Sequence, residues 1–225
     1  MSHSAFRLSS LTKKFIMALA GLFLITFLVV HLSINLLLLF DPSRVLFNTA
    51  AHFMGTNPFI QTFQWVLFAG FIIHIIYGLI LQIQNWIARP VRYRIEGYSH
   101  TSIFSKFMIH TGAIVLIFLV IHMANFFVKA KFGTLPEMEI HGKHVEDMGL
   151  LVQELFSLGG YVVFYIIALL LLGFHLHHAF QSAFQSLGLN HSRYTPFIKG
   201  LSTFIAVVLT LGYICIPVFI YFNLV

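Results

Sequence analysis

Five long apolar stretches alternate with short polar segments along the chain. They cover about residues 15–40, 59–87, 107–128, 155–187 and 201–225. Each is longer than the roughly 20 residues that an α-helix needs to cross the hydrocarbon core of a bilayer. None shows the sustained alternation of a transmembrane strand, which takes only about 9–11 residues. The pattern predicts an all-α integral membrane protein, a bundle of five transmembrane helices in a single domain over residues 1–225.

The composition agrees with a membrane protein. Hydrophobic residues make up 59% of the chain and charged residues 9%, whereas soluble domains carry about 25% charged residues. The net charge is +6, but the basic residues lie in loops, so we attribute them to membrane topology and expect no nucleic-acid partner. The single cysteine, Cys215, excludes a disulfide framework, a Cys-based zinc site and an iron–sulfur cluster held by this chain alone.

The basic residues also predict the orientation in the membrane. One side of the five stretches carries nine Lys and Arg, namely Arg7, Lys13, Lys14, Arg89, Arg92, Arg94, Lys106, Arg193 and Lys199. The other side carries four. Loops rich in Lys and Arg stay in the cytoplasm, so we expect a cytoplasmic N-terminus and an outside C-terminus in the inner membrane of a bacterium.

Each of the first four stretches contains a deep histidine, and the fifth contains none. They are His31, His74, His122 and His175. Polar residues inside a membrane are costly and usually functional, and no Asp or Glu lies deep enough to pair with these. At about 1.5 Å per residue, His31 and His122 lie about 10–15 Å from the outer boundary and the other two about 25–30 Å. Two layers of paired imidazoles predict two haems b, with these four histidines as axial ligands of the haem iron.

The residues around these histidines form an internal repeat. Aligned on His31 and His122, the first and third stretches share the matches Met17/Met108, Gly21/Gly112, Phe27/Phe118, Leu28/Leu119 and Val29/Val120. Gly78 follows His74 by four residues, and Ala179 follows His175 by four, which places each on the face of its histidine. A small residue there lets a flat macrocycle lie against the helix, so we expect Gly78, Ala179, Gly21 and Gly112 to contact cofactor.

The fourth stretch, which contains GFHLHHAF, leaves a choice of ligand. His175, His177 and His178 all compete. His177 lies on nearly the opposite helical face from His175, and His178 lies near the same face. If His175 is the ligand, His178 is a candidate contact of a haem propionate or a quinone.

With these features the chain resembles the di-haem cytochrome b membrane subunit of succinate:quinone oxidoreductases, the family of succinate dehydrogenases and fumarate reductases. The resemblance covers nearly the whole chain and is strongest in KKFIMALAGLFLITFLVVHLSIN, ARPVRY, FLVIH and GFHLHHAFQSAFQSLG. It implies that His31 and His122 hold an outer haem and that His74 and His175 hold an inner haem. It also selects His175 as the ligand of the fourth stretch.

The resemblance further implies partners. A flavoprotein subunit that carries the dicarboxylate site and an iron–sulfur subunit would dock on the cytoplasmic face, beside the basic loop with Arg89, Arg92 and Arg94. Electrons would pass to a quinone, for which we expect menaquinone. Candidates near a quinone on the outer side are His52, Gln61 and Gln64. Some family members carry a buried Glu two residues before the fourth ligand; this chain has Gly173 there, so we expect no proton path through the subunit.

Two other classes fit part of the pattern. A cytochrome b subunit of a hydrogenase or formate dehydrogenase also binds haem b and passes electrons to quinone. The cytochrome bc arrangement of two ligands on one helix, about thirteen or fourteen residues apart, is disfavoured because His110 and His122 are twelve apart. A haem-free transporter or structural anchor would use its histidines for packing alone.

Overall fold

A computed structural model describes residues 9–88 and 107–224. Within these residues, five helices are long and apolar enough to cross a membrane: Ser10–Phe40, Pro58–Ile87, Met108–Phe132, Gly159–Ser186 and Thr195–Tyr221. We call them spans one to five. The prediction of an all-α bundle of five apolar helices is confirmed. The basic loop with Arg89, Arg92 and Arg94, together with Arg7 and Lys106, lies outside the described residues.

Local capping residues set where the first two spans begin. The Ser9 side chain accepts a hydrogen bond from the Thr12 amide at 3.1 Å, which caps the helix that starts at Ser10. The Asn57 side chain accepts from the amides of Phe59 and Ile60 in the same way. Pro58 occupies the first helical position, where its missing N–H costs no intrahelical bond.

Span three changes its helical geometry directly after His122. The α-helix Met108–His122 is followed by a π-helical segment, Met123–Val128, and then by a last α-helical turn, Lys129–Phe132. The span therefore continues past the predicted end at residue 128. Single π-helical turns are rare and occur frequently at functional sites.

The predicted starts of the last two helices are wrong. Residues 155 and 156 belong to a separate helix, Met148–Phe156, and span four begins only at Gly159, because Leu158 adopts an extended conformation between the two helices. Span five begins at Thr195 instead of residue 201, because Pro196 lies in its first turn, where proline is well accommodated.

One side of the bundle carries additional structure that the hydrophobic pattern does not predict. It contains the helix Val45–Thr56, the helix Met148–Phe156 and a β-hairpin of Glu137–Ile140 with Lys143–Glu146. The hairpin turn is made by His141 and Gly142, both with positive φ. We call this the hairpin side and the other the N-terminal side.

A buried polar cluster joins these elements of the hairpin side. The Asp147 carboxylate accepts hydrogen bonds from Arg44 Nη2 at 2.9 Å, from Asn48 Nδ2 at 2.7 Å and from the Leu150 amide at 2.8 Å. Asn48 is fully buried, and its Oδ1 accepts from the Gly149 amide at 2.9 Å. A Cβ on Gly149 would lie 2.9 Å from Arg44 Cδ, so only glycine leaves room for the Arg44 side chain.

Span four is the central helix of the bundle and packs against spans one, three and five. Span five is also tied to span one, because Tyr213 Oη donates a hydrogen bond to the Leu28 carbonyl at 2.7 Å. Gly173 of span four faces Thr210 of span five so closely that an added Cβ would overlap Thr210 Oγ1. The position that carries a Glu in some members of the similar family is therefore closed here by span five.

Candidate functional site

The four deep histidines meet as two facing pairs. The ring centroids of His31 and His122 lie 5.8 Å apart, with an angle of 88° between the ring planes. Those of His74 and His175 lie 6.2 Å apart, at 74°. We call the first, which lies nearer the hairpin side, the outer pair and the second the inner pair. The structure thus brings together the residues that the sequence paired.

Both pairs fit the dimensions of an iron held by two imidazoles. A metal–imidazole bond is about 2 Å, so two imidazoles on opposite sides of one metal hold their nitrogens about 4 Å apart and their ring centres about 6 Å apart. In addition, Nδ1 of His74, of His122 and of His175 is buried and forms no hydrogen bond. Buried polar atoms without partners are rare, and in an imidazole that binds a metal through one ring nitrogen the other nitrogen is the one left for a second partner. The residues present therefore fit haem iron.

The two pairs lie at two depths. The His74 ring rests against Gly21, with Cε1 3.5 Å from the position of an added Cβ, and Gly21 precedes His31 by ten residues. The His175 ring rests in the same way against Gly112, at 3.4 Å, and Gly112 precedes His122 by ten residues. Ten residues of helix span about 15 Å. The outer and inner pairs are therefore about 15 Å apart along span one and along span three.

Aromatic side chains hold the rings of the outer pair. Phe27 stacks on His31 with a centroid distance of 5.3 Å, and Phe118 lies 5.7 Å from His122. These phenylalanines are matched positions of the internal repeat, one helical turn before each histidine. Asn35 donates to the His31 carbonyl at 2.7 Å, and its Nδ2 lies 3.5 Å from His31 Nδ1. The outer pair is thus oriented by its own helices.

The glycines differ in what they face. Gly21 and Gly112 face imidazole rings, as described above. The nearest atom to an added Cβ on Gly78 is Met17 Sδ, at 3.9 Å, so Gly78 accommodates a side chain of span one. Ala179 is half-buried. Contact of these four residues with a macrocycle stays a prediction.

The competing histidines of span four point to different neighbours. His177 Nε2 lies 3.2 Å from Thr203 Oγ1 of span five and 3.2 Å from Gln181 Nε2. Gln181 in turn donates to Ser202 Oγ at 3.1 Å. His177 therefore belongs to the contact between spans four and five, while His175 faces His74. His178 is half-buried.

The predicted quinone contacts lie around the turn between the helix Val45–Thr56 and span two. His52 is exposed, and its main-chain carbonyl accepts from Thr56 Oγ1 at 2.7 Å. Gln61 Nε2 donates to the Gly55 carbonyl at 2.7 Å and so closes the turn. Gln64 is half-buried. Their contact with a quinone stays a prediction.

Three polar residues near the histidine pairs were missed at the level of the sequence. Asn125 Nδ2, Tyr165 Oη and Thr210 Oγ1 are buried without a hydrogen-bond partner. Tyr165 lies 6.4 Å from the His122 ring, and Asn125 lies in the π-helical segment. A single Asn, Tyr or Thr in an apolar stretch carries no periodic signal, so only the position of the neighbouring helix distinguishes it.

The chain was also compared with known proteins. No protein-family model, curated protein or solved structure matches it. The functional assignment therefore rests on the residues themselves, and above all on the two facing histidine pairs.

Proposed function

We propose that the chain is the di-haem cytochrome b membrane subunit of a succinate:quinone oxidoreductase. One observation carries this proposal: four spans each contribute one histidine to two facing pairs, about 15 Å apart in depth. A transporter site would gather its metal ligands at one depth and add carboxylates or thiolates. Paired imidazoles at two depths suit two redox groups arranged across the membrane.

The protein contributes axial ligation, orientation and burial. Haem b supplies the one-electron chemistry when it is bound. His31 and His122 would hold the outer iron, and His74 and His175 the inner one. Two imidazoles on each iron leave no open coordination position, which favours electron transfer over oxygen chemistry. The aromatic rings around the outer pair exclude water and fix the orientation of its imidazoles.

The partners follow from the same proposal. A flavoprotein subunit and an iron–sulfur subunit dock on the N-terminal side, which faces the cytoplasm of a bacterium. A quinone, menaquinone in our proposal, exchanges electrons and protons near a membrane interface. The exposed His52, with Gln61 and Gln64 nearby, supports such a site on the hairpin side, and His178 is a candidate contact beside the inner pair.

A reduced-minus-oxidised spectrum of the purified chain tests the proposal. We expect b-type bands and two haems b per chain, because each pair accommodates one iron. Absence of b-type bands would exclude the haem function and leave a transporter or anchor. Copurification from the native membrane separates succinate chemistry, which requires a flavoprotein and an iron–sulfur partner, from a hydrogenase or formate dehydrogenase complex.

Turnover of the complete complex is expected to generate a membrane potential. The five spans contain no Asp or Glu, and span five closes the position of Gly173, so no carboxylate side chain of the spans carries a compensating proton. Electron movement between the two depths then transfers net charge across the membrane. Proteoliposomes with a potential-sensitive dye measure this during quinone turnover. An electroneutral reaction would contradict the prediction.

A further inference from the structure

The two faces of the internal repeat serve different histidine pairs. His31 and His122 are the repeated histidines, and they form the outer pair. The repeated glycines, Gly21 and Gly112, instead lie against the rings of the inner pair, which are carried by spans two and four. Each repeat unit thus contributes one imidazole to the outer pair. Beside the inner pair it contributes a glycine, at which no side chain covers the helix backbone.

The same edge of the imidazole ring, the edge with Cε1 and Nδ1, lies nearest to each of the two glycines. The Cε1 and Nδ1 atoms of His74 lie 3.5 and 3.6 Å from the position of an added Cβ on Gly21. Those of His175 lie 3.4 and 3.7 Å from the corresponding position on Gly112. Both Nδ1 atoms are buried and form no hydrogen bond with the protein. Two polar nitrogens therefore approach two helix backbones at points where no side chain covers the backbone.

The acceptor available at such a point is the carbonyl one turn earlier in the helix. A Ser or Thr side chain bonds to the carbonyl of the residue four positions before it, so the space beside residue 21 adjoins the carbonyl of Met17. Met17 Sδ lies 3.9 Å from the position of an added Cβ on Gly78, one turn after His74, so Met17 neighbours the face of span two that carries His74. The repeat places Met108 four residues before Gly112.

We infer that Gly21 and Gly112 are positioning residues that let Nδ1–H of His74 and His175 donate to the main-chain carbonyls of Met17 and Met108. This inference rests on the proposed haem function. A ligand imidazole that donates its second N–H to a fixed acceptor has one tautomer and one orientation and becomes more basic. A more basic ligand favours ferric iron, so these contacts hold the midpoint potential of the inner haem below the value it would otherwise have.

Graded substitutions at the two glycines test the inference. Alanine adds a Cβ at ordinary contact distance from the ring, whereas valine adds methyl groups that separate the ring from the carbonyl and accept no hydrogen bond. We expect the inner-haem midpoint potential to rise in the order glycine, alanine, valine at each position. Loss of a ligand's hydrogen-bond partner typically weakens metal binding at least about tenfold. If that loss falls on ferric iron and not on ferrous iron, the tenfold change corresponds to a rise in midpoint potential of about 59 mV for this one-electron couple.

Redox titration of the two-haem protein, with low-spin EPR spectra, provides the readouts. The EPR spectrum responds to the angle between the two axial imidazole planes and should change for the inner haem alone. Gly160→Val is the matched control, because Gly160 lies in span four with no atom within 4 Å of an added Cβ. If the valine variants lose the inner haem, the midpoint potential of the inner haem in the alanine variants tests the inference.

The outcomes separate this inference from the proposed function. A wild-type protein without haem refutes the proposed function and this inference with it. A wild-type protein with two haems, whose inner potential and EPR signal are unchanged in the Gly21 and Gly112 variants, refutes this inference only. A shift of the outer haem equal to that of the inner haem also refutes it, because it would indicate a general change in packing.

Discussion

Replacing any one of the four paired histidines with alanine is expected to remove one haem and leave the other. His31→Ala and His122→Ala should abolish the outer haem, and His74→Ala and His175→Ala the inner one. In the proposed site each substitution would remove one of the two axial ligands of one iron, while the other pair, about 15 Å away along spans one and three, would keep both. Haem content should fall from two to one per chain, with one midpoint potential lost in redox titration.

The histidines of span four provide a matched control. His177 is two residues from His175, but its Nε2 faces Thr203 and Gln181 at the contact with span five. We expect His177→Ala to retain two haems and both potentials. A protein that loses a haem on substitution of His177 and keeps it on substitution of His175 would refute the assignment of the inner pair.

Asp147→Ala is expected to destabilise the hairpin side without loss of haem. The substitution leaves the Arg44 guanidinium and the Asn48 amide without the carboxylate that they both contact. Removal of one partner from a buried ion pair costs about 3–5 kcal/mol. The Arg44 side chain is 26% exposed and so regains some solvation. The expected loss of stability is therefore about 3 kcal/mol. Thermal unfolding in detergent measures the loss.

The stability contributed by Asp147 should depend on pH. Burial alone would raise the pKa of Asp147, but hydrogen bonds from Arg44 and Asn48 outweigh it and hold the pKa below its ordinary value. An acid with a lowered folded pKa contributes its full stability above the unfolded value of about 3.9 and loses it as pH falls through the folded pKa. The wild-type protein should therefore lose this stability only below about pH 4.

Two variants check this dependence. Asp147→Asn has no carboxylate to titrate, so its acid-induced loss of stability below about pH 4 should be smaller than that of the wild-type protein. Glu146→Gln changes the neighbouring residue, which is exposed on the hairpin strand and should alter neither stability nor its pH dependence. Equal effects of the two substitutions would show that the cluster around Asp147 contributes no special stability.

The space beside Gly173 is a feature that the sequence does not show. The sequence alone shows that residue 173, at which the resemblance led us to look for a carboxylate, is glycine. The structure adds that Thr210 of span five fills the space beside residue 173, so a longer side chain cannot be added without displacing the Thr210 side chain. Restoring the Glu by itself is therefore not a clean test of proton movement in this chain.

The five spans and the four histidines that carry the proposed function follow from local properties of the sequence. Twenty or more apolar residues form a helix in a bilayer because every backbone N–H and C=O must be satisfied within the segment. That requirement is local, so length and hydropathy were sufficient for it. The depth estimate and the internal repeat likewise depend only on the rise per residue, and they paired His31 with His122 and His74 with His175.

The features that depend on a neighbouring helix are visible only in the folded protein. The separate helix Met148–Phe156 follows an apolar run that looks continuous with span four, and an extended Leu158 divides them. Arg44 and Asp147, 103 residues apart, meet because the segment between spans one and two and the segment between spans three and four both lie on the hairpin side and pack together. Gly21 and Gly112 face imidazoles of the adjacent spans, which the repeat by itself does not show. Which side chain meets a bare backbone depends on how the helices are rotated against each other, and packing, not local hydropathy, sets that rotation.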